Sequence, residues 1–325
     1  MKIINFFFYM LLLCTTCFSQ TISITGTIKD QQGQPVPLAF VRDGQHFYAT
    51  FADSTGAFIL MADPASSLIA IAPGYSDANV KIDGKRSIAV VMTKGGSSSA
   101  GNSNTSASSS QTQNIIDFLN SQPVSNQTGY SQKVQEGFNQ EPTRGSRYLF
   151  NNWVHGFATG TGDSLLYDAN NLYNYDKMDG DILFTRDKVS VFRIDKAHIK
   201  TISLYTGEPY PLTFENAPAV YNKPFVQVLV SSPKYRVYKR TETKLVRANF
   251  HTDGVIESGH KYDEYTDEAK YYFVKLPDGQ PQSISLKKST IKKLFGGDAD
   301  KFIAAHGGKD IDDSYLRDLN YNLSQ

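Results

Sequence analysis

The sequence predicts a mainly β protein: a small N-terminal β-sandwich, a flexible Ser-rich linker, and a larger antiparallel β-rich body that ends in helices. Three observations carry this. Aromatic residues are frequent and skewed, with 19 Tyr and 20 Phe against one Trp, and Tyr and Phe favour strands. Short apolar alternations recur between Gly, Pro and Asp turn signals at roughly ten-residue intervals, the spacing of sandwiches and barrels. Between the two structured stretches lies a run of Ser, Asn, Thr and Gly that has no apolar periodicity at all.

A chain of 325 residues with 40% hydrophobic and 20% charged content is ordinary globular material of about two domains. Residues 1–19 read as a secretory signal peptide. Lys2 supplies the positive start, an apolar core follows from Ile3 to Leu13 broken by Asn5, and Cys17-Phe18-Ser19 forms a cleavage site before Gln20. That run is shorter than the roughly 20 residues a retained bilayer helix needs, so no retained transmembrane helix is expected. Both cysteines, Cys14 and Cys17, fall inside it. The exported part is therefore expected to hold no disulfide, no Cys-based zinc site and no thiol nucleophile. The leader removes one Lys and no acid from 33 basic and 32 acidic residues, and a neutral remainder lacks the basic surplus that nucleic acid requires.

The first body covers 20–94. Ile22, Ile24 and Ile28 share one strand face, interrupted by Gly26, a residue that marks a bulge or a close approach. A turn at Asp30-Gln31-Gln32-Gly33 leads into Pro35-Val36-Pro37, which belongs at a sheet edge because Pro donates no ladder hydrogen bond. Strands are expected at 38–41, 47–51, 58–61, 68–72, 80–82 and 88–92, separated by Asp43-Gly44, Asp53-Ser54-Thr55-Gly56, Pro73-Gly74 and Asp83-Gly84.

The string Gly26-Thr27-Ile28-Lys29-Asp30, then Gly33-x-Pro35-Val36 and Ala39-x-Val41, resembles the opening of the carboxypeptidase regulatory-like domain. Asp53-x-x-Gly56-x-Phe58-x-Leu60 and Gly74-Tyr75 resemble its central turn and late corner. The resemblance implies a transthyretin-like β-sandwich, a helper module without catalytic residues that precedes other exported domains, among them outer-membrane transporters of the Bacteroidetes. The chain is too short for such a transporter's plug and barrel.

Residues 95–113 form the Ser/Gly/Asn-rich linker, too polar to offset its ordering entropy by burial. Residues 114–144 are a polar connecting segment, with a short helix expected at 114–120. The β-rich domain spans 145–325. Its expected strands are 153–158, 164–167, 172–175, 181–185, 189–194, 199–205, 225–230, 234–238, 244–250, 271–276 and 283–286, closing as a barrel or a curved sandwich. Val226, Val228 and Val230 alternate along one face. Helices follow, capped by Ser289, by Asp298, and by Asp312 or Asp313, and they pack on one end of the sheet. The pattern from Gly145-Ser146-Arg147-Tyr148 through Asn174-Tyr175-Asp176 to this helical tail looks like exported Bacteroidetes proteins, a likeness that implies no function. The two bodies are expected to fold independently.

No catalytic, cofactor-binding or metal-ligating set stands out. His251, Asp253, Glu257, His260, Asp263 and Glu264 are rich enough for a divalent metal, but Gly254 and Gly259 break any helix there, and a polar loop between strands is expected. Asp176, Asp179 and Asp181 fail the calcium-loop spacing, since Met178 occupies a ligand place and no Glu follows where one is needed. Gly160-Thr161-Gly162-Asp163-Ser164 lacks the Lys of a phosphate loop, and no Ser stands in a Gly-x-Ser-x-Gly elbow. As a ligand or partner surface the candidates are Trp153, Tyr235, Tyr238, Arg240, His251 and His260. Trp153 can stack on a sugar, though core packing is the simpler role. Tyr235, Tyr238, Lys239 and Arg240 make a basic-aromatic strand, and Tyr262, Tyr265, Tyr271 and Tyr272 a second aromatic group.

The expected function is a non-enzymatic exported envelope protein, periplasmic or outer-membrane-associated, that binds or assembles with an envelope protein or glycan. Two other classes stay open. One is a hydrolase on glycan or peptide using carboxylates among Asp163, Asp176, Asp179, Glu257 and Asp263. The other is a carrier enclosing an apolar ligand inside a curved sheet.

Overall fold

Alternation from Ile24 onward builds the first sheet. Ile24 and Ile28 are fully buried, and Gly26 between them leaves room for a neighbour: a Cβ there would lie 2.4 Å from the Phe58 ring and from the Ile88 carbonyl. The computed structural model describes residues 21–95, 131–133 and 143–323 except 209, 250, 253–255 and 261, with backbone alone at 131–133, 251, 252 and 257. The expected leader, nearly all of the Ser-rich linker and the expected helix at 114–120 lie outside the described residues.

The first body runs β1 (Ile22–Asp30), β2 (Phe40–Asp43), β3 (Ala49–Phe51), β4 (Ala57–Ala62), β5 (Ser67–Ile71), β6 (Ala78–Lys81) and β7 (Ser87–Met92). They form two sheets, β4-β1-β7 and β3-β2-β5-β6. β1 pairs antiparallel with β4 and parallel with β7. Between the sheets Ile24, Val41, Leu60, Leu68, Val90 and Met92 share one core, each contributing roughly 1.5–3 kcal/mol by leaving water. Val36 donates to the Ile28 carbonyl at 3.0 Å, and Pro35 forms a bridge with Lys29, the edge position that its ring requires.

The second body continues with β8 (Ser131–Lys133), β9 (His155–Gly160), β10 (Leu165–Leu166), β11 (Leu172–Asp176), β12 (Asp181–Thr185), β13 (Phe192–Ile194) and β14 (Ile199–Tyr205). Then come β15 (Leu212–Glu215), β16 (Val226–Ser231), β17 (Tyr235–Val246), β18 (His251–Thr252), β19 (Glu257–Ser258), β20 (Glu264–Lys275) and β21 (Gln282–Ile284). The chain ends in α1 (Lys288–Phe295), α2 (Gly297–Ala305) and α3 (Asp313–Leu323). The main sheet has the order β10-β9-β14-β15-β16-β17-β20-β21, and a smaller sheet has the order β11-β12-β13-β8. Among the described residues the main sheet is open at both ends, and the body is built as two packed sheets. The smaller sheet takes β8 from the connecting segment ahead of residue 145, so this body begins earlier in the chain than composition indicates.

Period-two burial orients β14. Ile202 and Leu204 pack with Ala158, Tyr173, Phe184 and Phe214 in the core between the two sheets. Thr201, Ser203 and Tyr205 face the other way. The helices cover Leu229, Val230, Val237 and Phe273 with Ile291, Phe295, Phe302 and Leu316. Ser289 and Asp298 do not cap: the N-cap positions of α1 and α2 are Lys287 and Gly296, neither with a side-chain cap. Asp312 does cap, its Oδ1 accepting from the Tyr315 amide at 2.8 Å. The expected alternation of Val226, Val228 and Val230 is broken by a register shift between Val228 and Val230. Val226 and Val228 join Tyr221 and Tyr238, whereas Val230 turns to the helices.

Each body has its own core, yet the two are docked. The outer face of sheet β3-β2-β5-β6 presents Phe40, Phe51, Ile69 and Ile71, and these pack on Phe157, Tyr167 and Tyr205 of the second body. Phe40 stacks on Tyr167 with ring centroids 4.0 Å apart, and Phe51 lies 5.3 Å from Tyr205. Left bare, four large apolar side chains side by side would be a patch of the kind soluble monomers avoid.

Candidate functional site

Docking leaves a cleft of about 380 Å³ between the sandwich and the main sheet, and α3 reaches into it. Small-molecule sites commonly span roughly 300–1,000 Å³, so this one has room for a small ligand or the end of a longer one. Its floor follows from strand register. Thr201 pairs with Thr159, and Ser203 pairs with Phe157 on one side and Thr213 on the other. These residues therefore share the face turned to the sandwich. The Ser203 and Thr213 hydroxyl oxygens are 3.0 Å apart. On the opposite face of the same strands everything is apolar and packed.

Two walls come from far along the chain. Phe47, Tyr48 and Met61 line the cleft from the sandwich, and Phe47 and Tyr48 remain 47% and 40% exposed. From α3 come Arg317, Asn320 and Tyr321, a spacing of three and four residues that puts them on one helical face. The Asn320 Oδ1 accepts from the Ser231 amide at 2.7 Å, which fixes the helix against the end of β16. The Tyr321 hydroxyl is hydrogen-bonded to the Ser23 hydroxyl of β1, and its ring lies 5.3 Å from that of Tyr210. Burial, then the neighbouring Tyr321 and Asp318, push the Tyr210 phenol up, so it stays a protonated donor.

Charge in the cleft is sparse. Asp163 and Lys200 line it and are ion-paired at 2.7 Å. Arg317 is half-buried, and no hydrogen bond or ion pair to its guanidinium occurs among the described residues. Among the described residues the cleft thus carries one uncompensated positive charge.

The residues singled out from sequence lie elsewhere. Trp153 is half-buried just ahead of β9. Tyr235 and Tyr238 fall on opposite faces of β17: Tyr235 packs on Phe273 and Phe295 and donates to the Asp298 Oδ2 at 2.9 Å. Tyr238 is buried and donates to the Glu215 Oε2 at 3.1 Å. Arg240 lies 4.8 Å over the Tyr221 ring and pairs with Glu242. These side chains are absorbed by packing, so no basic-aromatic surface forms along the strand. His251 opens a short hairpin with β19, its side chain outside the described part. His260 is exposed and its amide donates to the Asn249 Oδ1 at 2.7 Å. No group of three or more His, Cys, Asp or Glu side chains is placed to hold a metal among the described residues.

Of the carboxylates weighed for hydrolysis, Asp163, Asp176, Asp179 and Asp263 are committed, and the Glu257 side chain lies outside the described residues. Asp176 and Asp179 both receive Arg147, with Nη2 2.7 Å from the Asp176 Oδ2. Asp263 receives Arg247 and the Ala248 amide at 2.6 and 2.7 Å. Asp181 sits under Arg193, Nε to Oδ2 2.7 Å, and burial still pushes its carboxyl up to about 6.

Two signals for the cleft lie in the sequence. One is the polar-aromatic stripe Arg317, Asn320 and Tyr321 beside the apolar stripe Leu316, Leu319 and Leu323. The other is the run Leu68-Ile69-Ala70-Ile71-Ala72, which lacks alternation because both its faces are covered. Among the described residues no helix is long and apolar enough to cross a membrane. Comparison with protein-family models, curated proteins and solved structures finds no match to this chain.

Proposed function

We propose that the protein is a non-catalytic binding module, exported to the cell envelope, whose ligand lies in the cleft between the sandwich and the main sheet. The observation that carries this is the floor of Thr159, Thr201, Ser203 and Thr213, a hydroxyl-bearing face walled by tyrosines and an arginine, where the reverse face of the same strands is wholly apolar. Side chains of that kind recognise; they do not activate water or form a covalent intermediate without an adjacent base. Among the described residues Asp163 is the one carboxylate that lines the cleft, and Lys200 neutralises it, whereas glycoside hydrolysis calls for two carboxylates about the scissile bond. The space between the two sheets is occupied by Tyr173, Tyr175, Phe184, Phe214 and Phe225, which argues against an apolar ligand carried there.

Titration of the exported chain with envelope-derived oligosaccharides and peptides tests the proposal, with product analysis run in parallel. Binding that raises the thermal midpoint, disappears in Thr213→Trp and leaves the ligand intact is the expected result. Conversion of any of these compounds to product, or binding indifferent to Thr213→Trp, would overturn it.

A further inference from the structure

We infer that the ligand of this cleft is a saccharide bearing a carboxylate, its acid group received by Arg317 and its ring laid on the Ser/Thr floor between the tyrosine walls. This rests on the cleft being the ligand site. Arg317 is the starting point. A half-buried guanidinium without an anion is unusual, because the charge loses hydration and gains nothing in return. Lys200, the other cation in the cleft, already has Asp163. A guanidinium presents a planar fork of donors that fits a carboxylate through two parallel hydrogen bonds.

The floor then narrows the ligand class. Hydroxyls both donate and accept, so a row of them suits a partner with many hydroxyls of its own. Ser203 and Thr213 are already within 3.0 Å of each other, and the Tyr210 phenol remains a donor. Tyr48 offers an exposed ring for the apolar face of a sugar. An extended peptide would instead need an unpaired strand edge. β14 and β15 are each paired on both sides, so the floor presents side chains and no free backbone edge; the edge strands β3 and β4 of the sandwich line the wall, and titration with tripeptides tests whether they take up a peptide. A nucleic acid would need more than one uncompensated positive charge.

The test uses the full exported chain and calorimetric titration with a panel of uronic-acid and sialic-acid oligosaccharides. Their carboxyl-reduced neutral counterparts and tripeptides with a free C-terminal carboxylate are titrated alongside. At least one acidic saccharide is expected to bind ten-fold or more tightly than its neutral counterpart. Arg317→Gln is expected to erase that advantage, bringing the acidic and neutral affinities together, and Arg317→Lys to retain part of it. Thr213→Trp should abolish binding of both. Equal binding of acidic and neutral sugars, stronger binding of the tripeptides, or no saccharide binding at millimolar concentration overturns the inference. In the first two cases loss of binding in Thr213→Trp shows that the cleft remains the ligand site. Acidic-sugar binding that survives Thr213→Trp overturns both readings.

Discussion

Asp43 is fully buried at the end of β2, and its carboxylate ties together two turns of the sandwich. The Oδ1 accepts from the amides of Gln45 and His46 at 2.8 and 3.1 Å and from the Ser66 hydroxyl, and the Oδ2 accepts from the Asp63 amide at 2.9 Å. Burial pushes this carboxyl up, but the donors outweigh it and hold the group below its ordinary value. Asp43→Ala strands those donors and is expected to cost about 3 kcal/mol or more in a urea titration. A lowered carboxyl stabilises the fold above the unfolded-state value and loses that contribution as pH falls through the folded one. Asp181 has the opposite sign. With its carboxyl raised to about 6 by burial, the folded state holds a proton that the unfolded chain has released between about pH 4 and 6. Stability due to this group therefore declines as pH rises through that window, by up to roughly 3 kcal/mol at 1.36 kcal/mol per unit. The urea midpoint of Asp181→Asn, compared with wild type at pH 4.5 and 7, should lack this decline; an identical pH dependence in both would show that Arg193 carries the charge at no cost.

At the scale of elements, α3 closes one end of the cleft through a single turn of helix, and Leu316 anchors it. Leu316 is fully buried among Tyr315, Phe302 and Leu319, so Leu316→Ala is expected to cost about 2–5 kcal/mol. Amide exchange across 313–323 should accelerate ahead of the rest of the sheet; uniform acceleration would mean that α3 and the sheet open as one unit. Short apolar runs bracketed by turn residues are legible in the sequence. Asp181–Thr185 and Ile199–Tyr205 match their expected bounds to the residue, because polar and turn residues such as Asp179-Gly180 and Gly207 bracket each apolar run. Where charge replaced the period, the reading failed. Residues 234–238 and 244–250 read as separate strands, yet β17 runs unbroken through Lys239–Thr243. That stretch is held by ion pairs within and beyond it: Lys239 pairs with Asp313 of α3, and Glu242 receives Arg240 of its own strand and Lys270 of β20. β15 was missed because Leu212-Thr213-Phe214 is short and bracketed by Pro211 and Pro218. The floor of the cleft is illegible for a related reason. Thr201 and Ser203 look like an ordinary solvated strand face until a second body is laid across them, and nothing local to β14 announces that body.

For the whole molecule, the docked arrangement has a specific weak point. Phe51 is 2% exposed but belongs to the interface and not to the sandwich core. It meets Phe40, Phe157, Tyr167 and Tyr205 with centroids 5.3–6.1 Å apart. Burial also holds the neighbouring His155 imidazole below its ordinary value, so a charge is unwelcome on either side of this junction. Lower pH should act in the same direction. A lowered imidazole favours the docked state above its free value and loses that contribution as pH falls toward the docked one. Phe51→Asp places a carboxylate where it can find no water and no cation, a cost of several kcal/mol that exceeds what one aromatic side chain contributes by burial. The sandwich core loses nothing by this change, so the variant should remain folded while the two bodies separate. Small-angle scattering is expected to report a larger radius of gyration for Phe51→Asp than for wild type, with far-ultraviolet dichroism unchanged. Ligand affinity should fall in step, since Tyr48 and Met61 leave the cleft with the sandwich. An unchanged radius would mean that the polar contacts at the far side, Tyr321 to Ser23 among them, suffice to keep the bodies docked, and the aromatic junction would then be shown to align the cleft and not to hold it shut.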